Sequence, residues 1–304
     1  MVERTRLFNI VCQVLLFLGL VVSVFPFFIV AIAATHNLRD VNLVPMPLWP
    51  GHDFLANFST AWTRANFGVK LVNSVIFALG VAFGKVAISA ITAYSIVYFG
   101  YRGRTLIFWL VFITLMLPLE VRIVPTYAVA ANVLSPYQAI LDVTGISWLI
   151  AHFTGVQVAL NFGLLDSYAG LILPLVATAT GTFLYRQFFL TLPDELVEAA
   201  KMDGAGPLRF FWDMIIPLSR TNIAALFTIM FVWAWNEYLW PLLVTTDPLK
   251  RVAVVGLLDV VPDKDSLPEW NVAMAGTLIV MLPPLIIVAL TQRLFVRGLV
   301  ATEK

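Results

Sequence analysis

The chain has 304 residues, is 60% hydrophobic and carries a formal net charge of +1. Only 12% of its residues are charged, against roughly 25% in a soluble domain, so its apolar surface cannot all be hidden from water and its solvent is a bilayer. The near-neutral charge excludes a nucleic-acid-binding surface, and a lone Cys12 excludes an internal disulfide or a cysteine metal cluster.

The N-terminus carries Arg4 and Arg6, then runs from Leu7 to Thr35 without a formal charge. A secretory signal has an apolar core of only roughly 7–15 residues, so this stretch is read as an uncleaved transmembrane helix. Roughly 20 apolar residues cross a bilayer as a helix. On that measure the sequence predicts six spans, at about 8–34, 71–98, 106–131, 167–189, 222–245 and 272–292. The expected fold is therefore all-α, one polytopic transmembrane domain over 1–304 with its core at about 71–292. Lys and Arg in short connections set orientation. Six spans put Arg4, Arg6, Arg102, Arg104, Arg186, Lys201, Arg209, Arg220, Arg293, Arg297 and Lys304 on one side, with both termini cytoplasmic. Arg39, Arg64, Lys70, Lys250, Arg251 and Lys264 fall on the other.

The connections at 36–69 and 246–271 each contain three prolines, which favour extended or turn geometry. Residues 144–165 carry no formal charge and compete as a seventh span. That count would invert the charge bias downstream, and Gly145, Gly155 and Gly163 weaken any helix there. The stretch is read as a re-entrant or interfacial part of an outer-face segment at 133–165.

Between the fourth and fifth spans, residues 191–220 concentrate charge: Asp194, Glu195, Glu198, Lys201, Asp203, Arg209, Asp213 and Arg220. Thr191 followed by Asp194 fits a capping box, with Pro193 tolerated in the first turn. Asp194, Glu195 and Glu198 complement the helix dipole. Gly204 suits a left-handed helix end, and Pro207 begins a second helix that ends near Pro217. The spacing thus predicts two short helices bent at Ala205–Gly206. Ala199 and Ala200 present only methyl groups to an approaching partner, flanked by Leu196 and Met202. A plain amphipathic connector on the membrane surface is the alternative.

Glu198-Ala199-Ala200, then Gly204, then Met214, Ile216 and Pro217 at family spacing resembles the EAA loop of ABC importer permeases. Ile and Leu usually stand where Met214 and Ile216 do, an apolar exchange. Asn73-Ser74, the run Trp235–Pro241, Leu282-Pro283 and Gln292–Leu299 extend the resemblance to carbohydrate-uptake permeases of the maltose-importer type. Residues 112–123, 185–189, 191–200 and 209–211 resemble the sn-glycerol-3-phosphate branch of that family. The intervening stretch at 133–165 departs from it, since the family connection there is short. The resemblance implies a type I importer permease fold in a bacterial inner membrane. It implies a coupling helix in which Glu198, Ala199, Ala200, Asp203, Gly204 and Pro217 serve the contact to an ATPase. The implied partners are a homologous second permease, two ATP-binding subunits docking at 191–220 and an extracytoplasmic solute-binding protein. ATP and Mg would be held by the ATPase, and this chain would hold no cofactor.

Lys85, Glu120, Arg122 and Glu237 fall within apolar spans, where ionisable groups usually face a cavity or one another. Glu120 and Arg122 follow Pro118, where a helix can kink. Arg122 is a candidate to guide an anionic phosphate with Glu120 holding it; an internal ion pair or snorkelling to the headgroups is the alternative. Asn236 and Glu237 are read as cavity-lining or as interhelical hydrogen-bonding groups. Lys85 is read as a counter-ion to a carboxylate or as a substrate contact. His36, His52 and His152 lack metal-ligand spacing.

The chain has no GxxxxGK[ST] loop and no nucleophile–base constellation, so it is not expected to be an enzyme. The expected cargo is sn-glycerol-3-phosphate or a glycerophosphodiester, with a sugar such as maltose or trehalose as the alternative. An ion-coupled secondary transporter is the rival of another class, but it normally shows internal repeats.

Overall fold

In hydrocarbon every backbone N–H and C=O must be satisfied within the segment, so the apolar runs become helices. The computed structural model describes residues 6–114, 117–261 and 267–300, with backbone alone for Arg6, Leu7, Leu119 and 293–300. Arg4, Lys264 and Lys304 lie outside the described residues, as do the side chains of Arg293 and Arg297. In chain order the helices are α1 (Arg6–Ala33), α2 (Leu38–Val41), α3 (Phe54–Arg64), α4 (Phe67–Tyr98), α5 (Arg104–Ile113), α6 (Leu119–Ala131), α7 (Ser135–Val143) and α8 (Ile146–Thr154). They continue with α9 (Tyr168–Ile172), α10 (Ala179–Phe189), α11 (Glu195–Met202), α12 (Pro207–Phe210), α13 (Ile216–Leu218), α14 (Arg220–Trp235), α15 (Leu239–Val244), α16 (Ala253–Gly256) and α17 (Trp270–Val300).

Among the described residues three unbroken stretches are long and apolar enough to span: Phe8–Ala33, Phe67–Tyr98 and Trp270–Gln292. Two bent pairs raise that number to five, Tyr168–Leu175 with Ala179–Phe189 at 48° and Pro207–Leu218 with Arg220–Trp235 at 75°. The run expected at 106–131 is not one helix. α5 has ten residues, and Pro118 stands in extended conformation before α6. The run at 222–245 breaks too, between α14 and α15, where Asn236 and Glu237 stand. Interruptions in three of the six predicted stretches are why six continuous spans are not found.

The chain divides into two compact units. The first comprises Met1–Val69 and Gly256–Pro283. Its α1 leaves nearly every apolar side chain exposed, as a helix wrapped in lipid does. Buried Asn57 donates to the carbonyls of Ala34 (2.9 Å) and His36 (2.7 Å) and accepts from Asn271 (2.7 Å), and Arg64 pairs with Glu269.

The second unit is Lys70–Val255 with Pro284–Lys304. Its core is a large apolar cluster from α4, α9, α10, the 191–220 segment, α14 and α15. α4 carries Gly80 and Gly84 one turn apart, the small-xxx-small spacing that lets membrane helices approach closely. A Cβ there would lie 2.5 Å from Ile172 and 2.4 Å from Val176. Asn73 at the start of the same helix donates to the carbonyls of Leu249 (2.8 Å) and Arg251 (3.0 Å) and accepts from the Tyr168 hydroxyl (2.6 Å). Ser74 accepts from Ala253 N at 2.7 Å. The Asn73-Ser74 pair is thus a tie between the start of α4 and the segment at 249–253.

Residues 144–165 form no spanning helix. The nine-residue α8 is bounded by left-handed Gly145 and Gly155, and the chain then returns without helix. The return is fixed by Leu164 N to Ala130 O (2.8 Å), Val133 N to Phe162 O (2.9 Å) and Asn132 Nδ2 to Leu160 O (3.0 Å).

Candidate functional site

The breaks in the helices surround a cavity of ≈ 810 Å³ within the second unit. A helix end exposes backbone groups that the helix itself cannot satisfy, and such irregular backbone is tolerated at membrane depth only where it faces protein or a wet cavity. Ala177, Thr178, Ala179 and Thr180 reach the cavity at the 48° bend into α10. Glu237 reaches it from the α14–α15 break, and Glu120 and Arg122 from α6. Lys85 comes from unbroken α4, with Ile88 and Thr92 on the same face one and two turns on.

Four of the five membrane-embedded residues singled out from sequence therefore meet: Lys85, Glu120, Arg122 and Glu237. Lys85 is 5% exposed, and its ammonium lies 3.3 Å from the centroid of the Trp233 ring. It stands in the fields of Arg122 and Glu237, and Glu237 in those of Glu120 and Lys85. Glu237 also accepts from Trp240 N, in the first turn of α15, at 3.3 Å. The expectation that Glu120 holds Arg122 is not met: no ion pair joins them among the described residues. Residues two apart on a helix point to different sides, and Arg122 Nε is buried without a hydrogen-bond partner. Asn236 does not reach the cavity either. Its side chain donates to the Val232 carbonyl at 2.9 Å, finishing α14.

The 191–220 segment forms the two predicted helical stretches with some local corrections. Gly204 is left-handed (φ 70°), and the N–H groups of Gly204 and Ala205 close on the carbonyls of Lys201 (3.1 Å) and Ala200 (2.9 Å). Gly206 is extended, Pro207 opens α12, and a π-helical turn at Phe211–Ile215 leads to α13, which contains Pro217. The capping box does not form. Thr191 Oγ1 donates to Phe188 O (2.7 Å), so it is committed to the end of α10, and Asp194 caps without a side-chain bond. Ala200 is buried in its own chain's core and offers no methyl to a partner. The exposed surface instead includes Asp194, Glu195, Glu198, Lys201, Met202, Asp203 and Gly204.

The core that includes Ala200 also holds an aromatic clamp with no local sequence signal. Tyr94, on α4, donates its hydroxyl to Pro207 O at 2.8 Å and packs on Phe211 with ring centroids 4.9 Å apart. Tyr98 meets Phe210 edge-on at 5.4 Å. The threonines of the α10 bend and Trp233 were likewise invisible as site residues, being ordinary membrane-helix residues until packing turns them inward.

Residues 85–300 match the family described as "Binding-protein-dependent transport system inner membrane component". The chain belongs to this family. Among the permeases it is similar to, one of Yersinia enterocolitica is 44% identical over 100% of both chains and is named "sn-glycerol-3-phosphate transport system permease protein UgpE". Proteins of Pectobacterium atrosepticum and Salmonella choleraesuis with the same name are also 44% identical over full length. A chain of "a bacterial ABC transporter involved in the import of the acidic polysaccharide alginate" superposes with a TM-score of 0.70, covering 96% of this chain and 98% of that one. At 18% identity that likeness concerns the fold alone, the all-helical ABC importer permease fold. The chain is accordingly a multi-pass inner-membrane permease component of an ABC transport system, and as such a transport component. The described residues hold no group of three or more metal-ligating side chains.

Proposed function

We propose that this permease carries sn-glycerol-3-phosphate, or a glycerophosphodiester, across the inner membrane in an ATP-driven importer. The observation that carries the reading is identity of 44% over the whole chain to permeases named for that cargo. The cavity supports it, because Lys85 and Arg122 supply positive charge where a phosphate would pass. A homologous second permease completes the pathway, and an extracytoplasmic binding protein delivers the cargo. Two ATP-binding subunits dock at the 191–220 loop, which with both termini is cytoplasmic, while 133–165 lies on the outer face.

Closure of the ATPases on ATP draws the loops together. The movement passes through the Tyr94–Pro207 bond and the Phe210–Phe211 clamp into α4. α4 also carries Lys85, nine residues before Tyr94 or about 14 Å along the axis, so loop and cavity share a rigid lever. A sugar cargo such as maltose is the second reading, since the polar cavity also admits hydroxyls.

The deciding measurement is ATPase activity of the reconstituted transporter with its binding protein loaded with glycerol-3-phosphate or with maltose. Stimulation by glycerol-3-phosphate is expected, and stimulation by maltose alone overturns the reading.

A further inference from the structure

We propose that the cavity contains a phosphate subsite formed by Lys85 and the N-terminus of α10, into which the phosphomonoester end of the cargo seats. The inference rests on the proposed function and adds the residues that would select for the anion.

Three independent features converge. Lys85 is 5% exposed, lines the cavity, and makes no hydrogen bond or ion pair among the described residues; Trp233 offers only its ring face. A buried ammonium without an acceptor is costly, and the cost falls when an anion arrives. The second feature is the eleven-residue α10, whose N-cap Thr178 makes no side-chain capping bond. Ala179 and Thr180 of its first turn both line the cavity, and at a helix N-terminus the unpaired N–H groups and the dipole favour negative charge. The Thr182 hydroxyl is committed to Thr178 O (3.1 Å), whereas that of Thr180 makes no bond among the described residues and is left to donate. Third, Arg122 brings a second cation whose Nε is buried without a partner.

The same cavity carries the carboxylates of Glu120 and Glu237, which accept hydrogen bonds and repel anions. A polyol phosphate supplies both an anion for Lys85 and α10 and hydroxyls that donate to the carboxylates. A neutral sugar brings no countercharge to the Lys85 ammonium.

The test uses the whole transporter in proteoliposomes. Lys85→Gln is expected to lower glycerol-3-phosphate uptake about tenfold or more, the loss of a charge-assisted hydrogen bond, with Lys85→Arg restoring part of it. Wild-type uptake by Lys85→Gln overturns the subsite and leaves the functional reading intact. Transport of maltose but of no polyol phosphate by the wild-type complex overturns the functional reading instead.

A charge probe decides the matter if Lys85→Gln fails to assemble. Thr180→Cys in a Cys12→Ser background is labelled with anionic and cationic methanethiosulfonates. Several-fold faster reaction with the anionic reagent, blocked by added glycerol-3-phosphate, is expected. Equal rates overturn the proposal. So does protection that is present in lipid vesicles, lost in detergent and indifferent to glycerol-3-phosphate, because the phosphate seated there is then a lipid headgroup.

Discussion

The 191–220 loop and the cavity are both polar interruptions of an apolar chain, but they are assembled in opposite ways. The loop is contiguous. Its helices, its left-handed Gly204 and its proline starts are written in neighbouring residues, and tertiary contacts only clamp it down. The cavity has no contiguous segment. α4, α6, the bend before α10 and the α14–α15 break each contribute part of the lining, and none is a site alone. The contrast teaches that charge in a loop marks a surface, whereas charge scattered through apolar spans marks a place where helices must meet.

Breaking the clamp should show how far the loop depends on the rest of the fold. Phe210 is 6% exposed in the core under the loop, so Phe210→Ala should cost about 3–5 kcal/mol. The check is a lowered Tm of the purified complex with faster amide exchange at 205–211.

Breaking the cavity's framework should cost nearly as much. At Gly170 an added Cβ would lie 2.0 Å from the Leu164 carbonyl oxygen, a backbone atom with no room to yield. Gly170→Ala should therefore destabilise by about 3 kcal/mol, seen as reduced assembled yield. Gly19→Ala on α1 is the control, since nothing lies within 4 Å of its added Cβ.

Arg122→Gln sharpens the comparison by separating function from framework. It should lower uptake about tenfold through loss of a charged partner while the complex still assembles. Unchanged uptake would remove Arg122 from the pathway.

The smallest expected effect is a pH response at a third place, where Asp166 ties the start of α9 to 246–247. Its carboxylate accepts from Thr246 Oγ1 (2.5 Å), Asp247 N (2.8 Å) and Thr246 N (2.6 Å). The Thr246 hydroxyl above all, with the Asp247 amide, holds this carboxyl below its ordinary value. A depressed folded value means the tie stabilises fully above the unfolded value of about 3.9 and is lost as pH falls through the folded value. Amide exchange at Thr246 and Asp247, corrected for intrinsic rates, should be steady from about pH 7 to 5 and rise below about pH 4. Asp166→Asn should abolish that step.

Much of the loop was legible because capping and helix termination are decided within a few residues. Gly204 and Pro207 behave as their chemistry requires. The failures were where a side chain had a competing neighbour: Thr191 bonded back to Phe188 instead of capping forward, and Ala200 turned to its own aromatic core. The cavity was legible only as a set of misplaced charges. Lys85, Glu120, Arg122 and Glu237 were found because charge in a span is costly, whereas Thr180 and Trp233 are unremarkable there.

By itself the sequence determined the solvent, the apolar stretches, the position of the charged loop and the identity of the ionisable groups. Hydropathy, capping and backbone conformation are properties of a residue and its near neighbours. Only the tertiary structure decided that three of those stretches are interrupted, that Glu120 and Arg122 share a cavity without pairing, and that Asn236 ends a helix instead of lining that cavity. Those outcomes depend on which helices approach closely, as Gly80 and Gly84 do against Ile172 and Val176, and such contacts join residues that are distant along the chain.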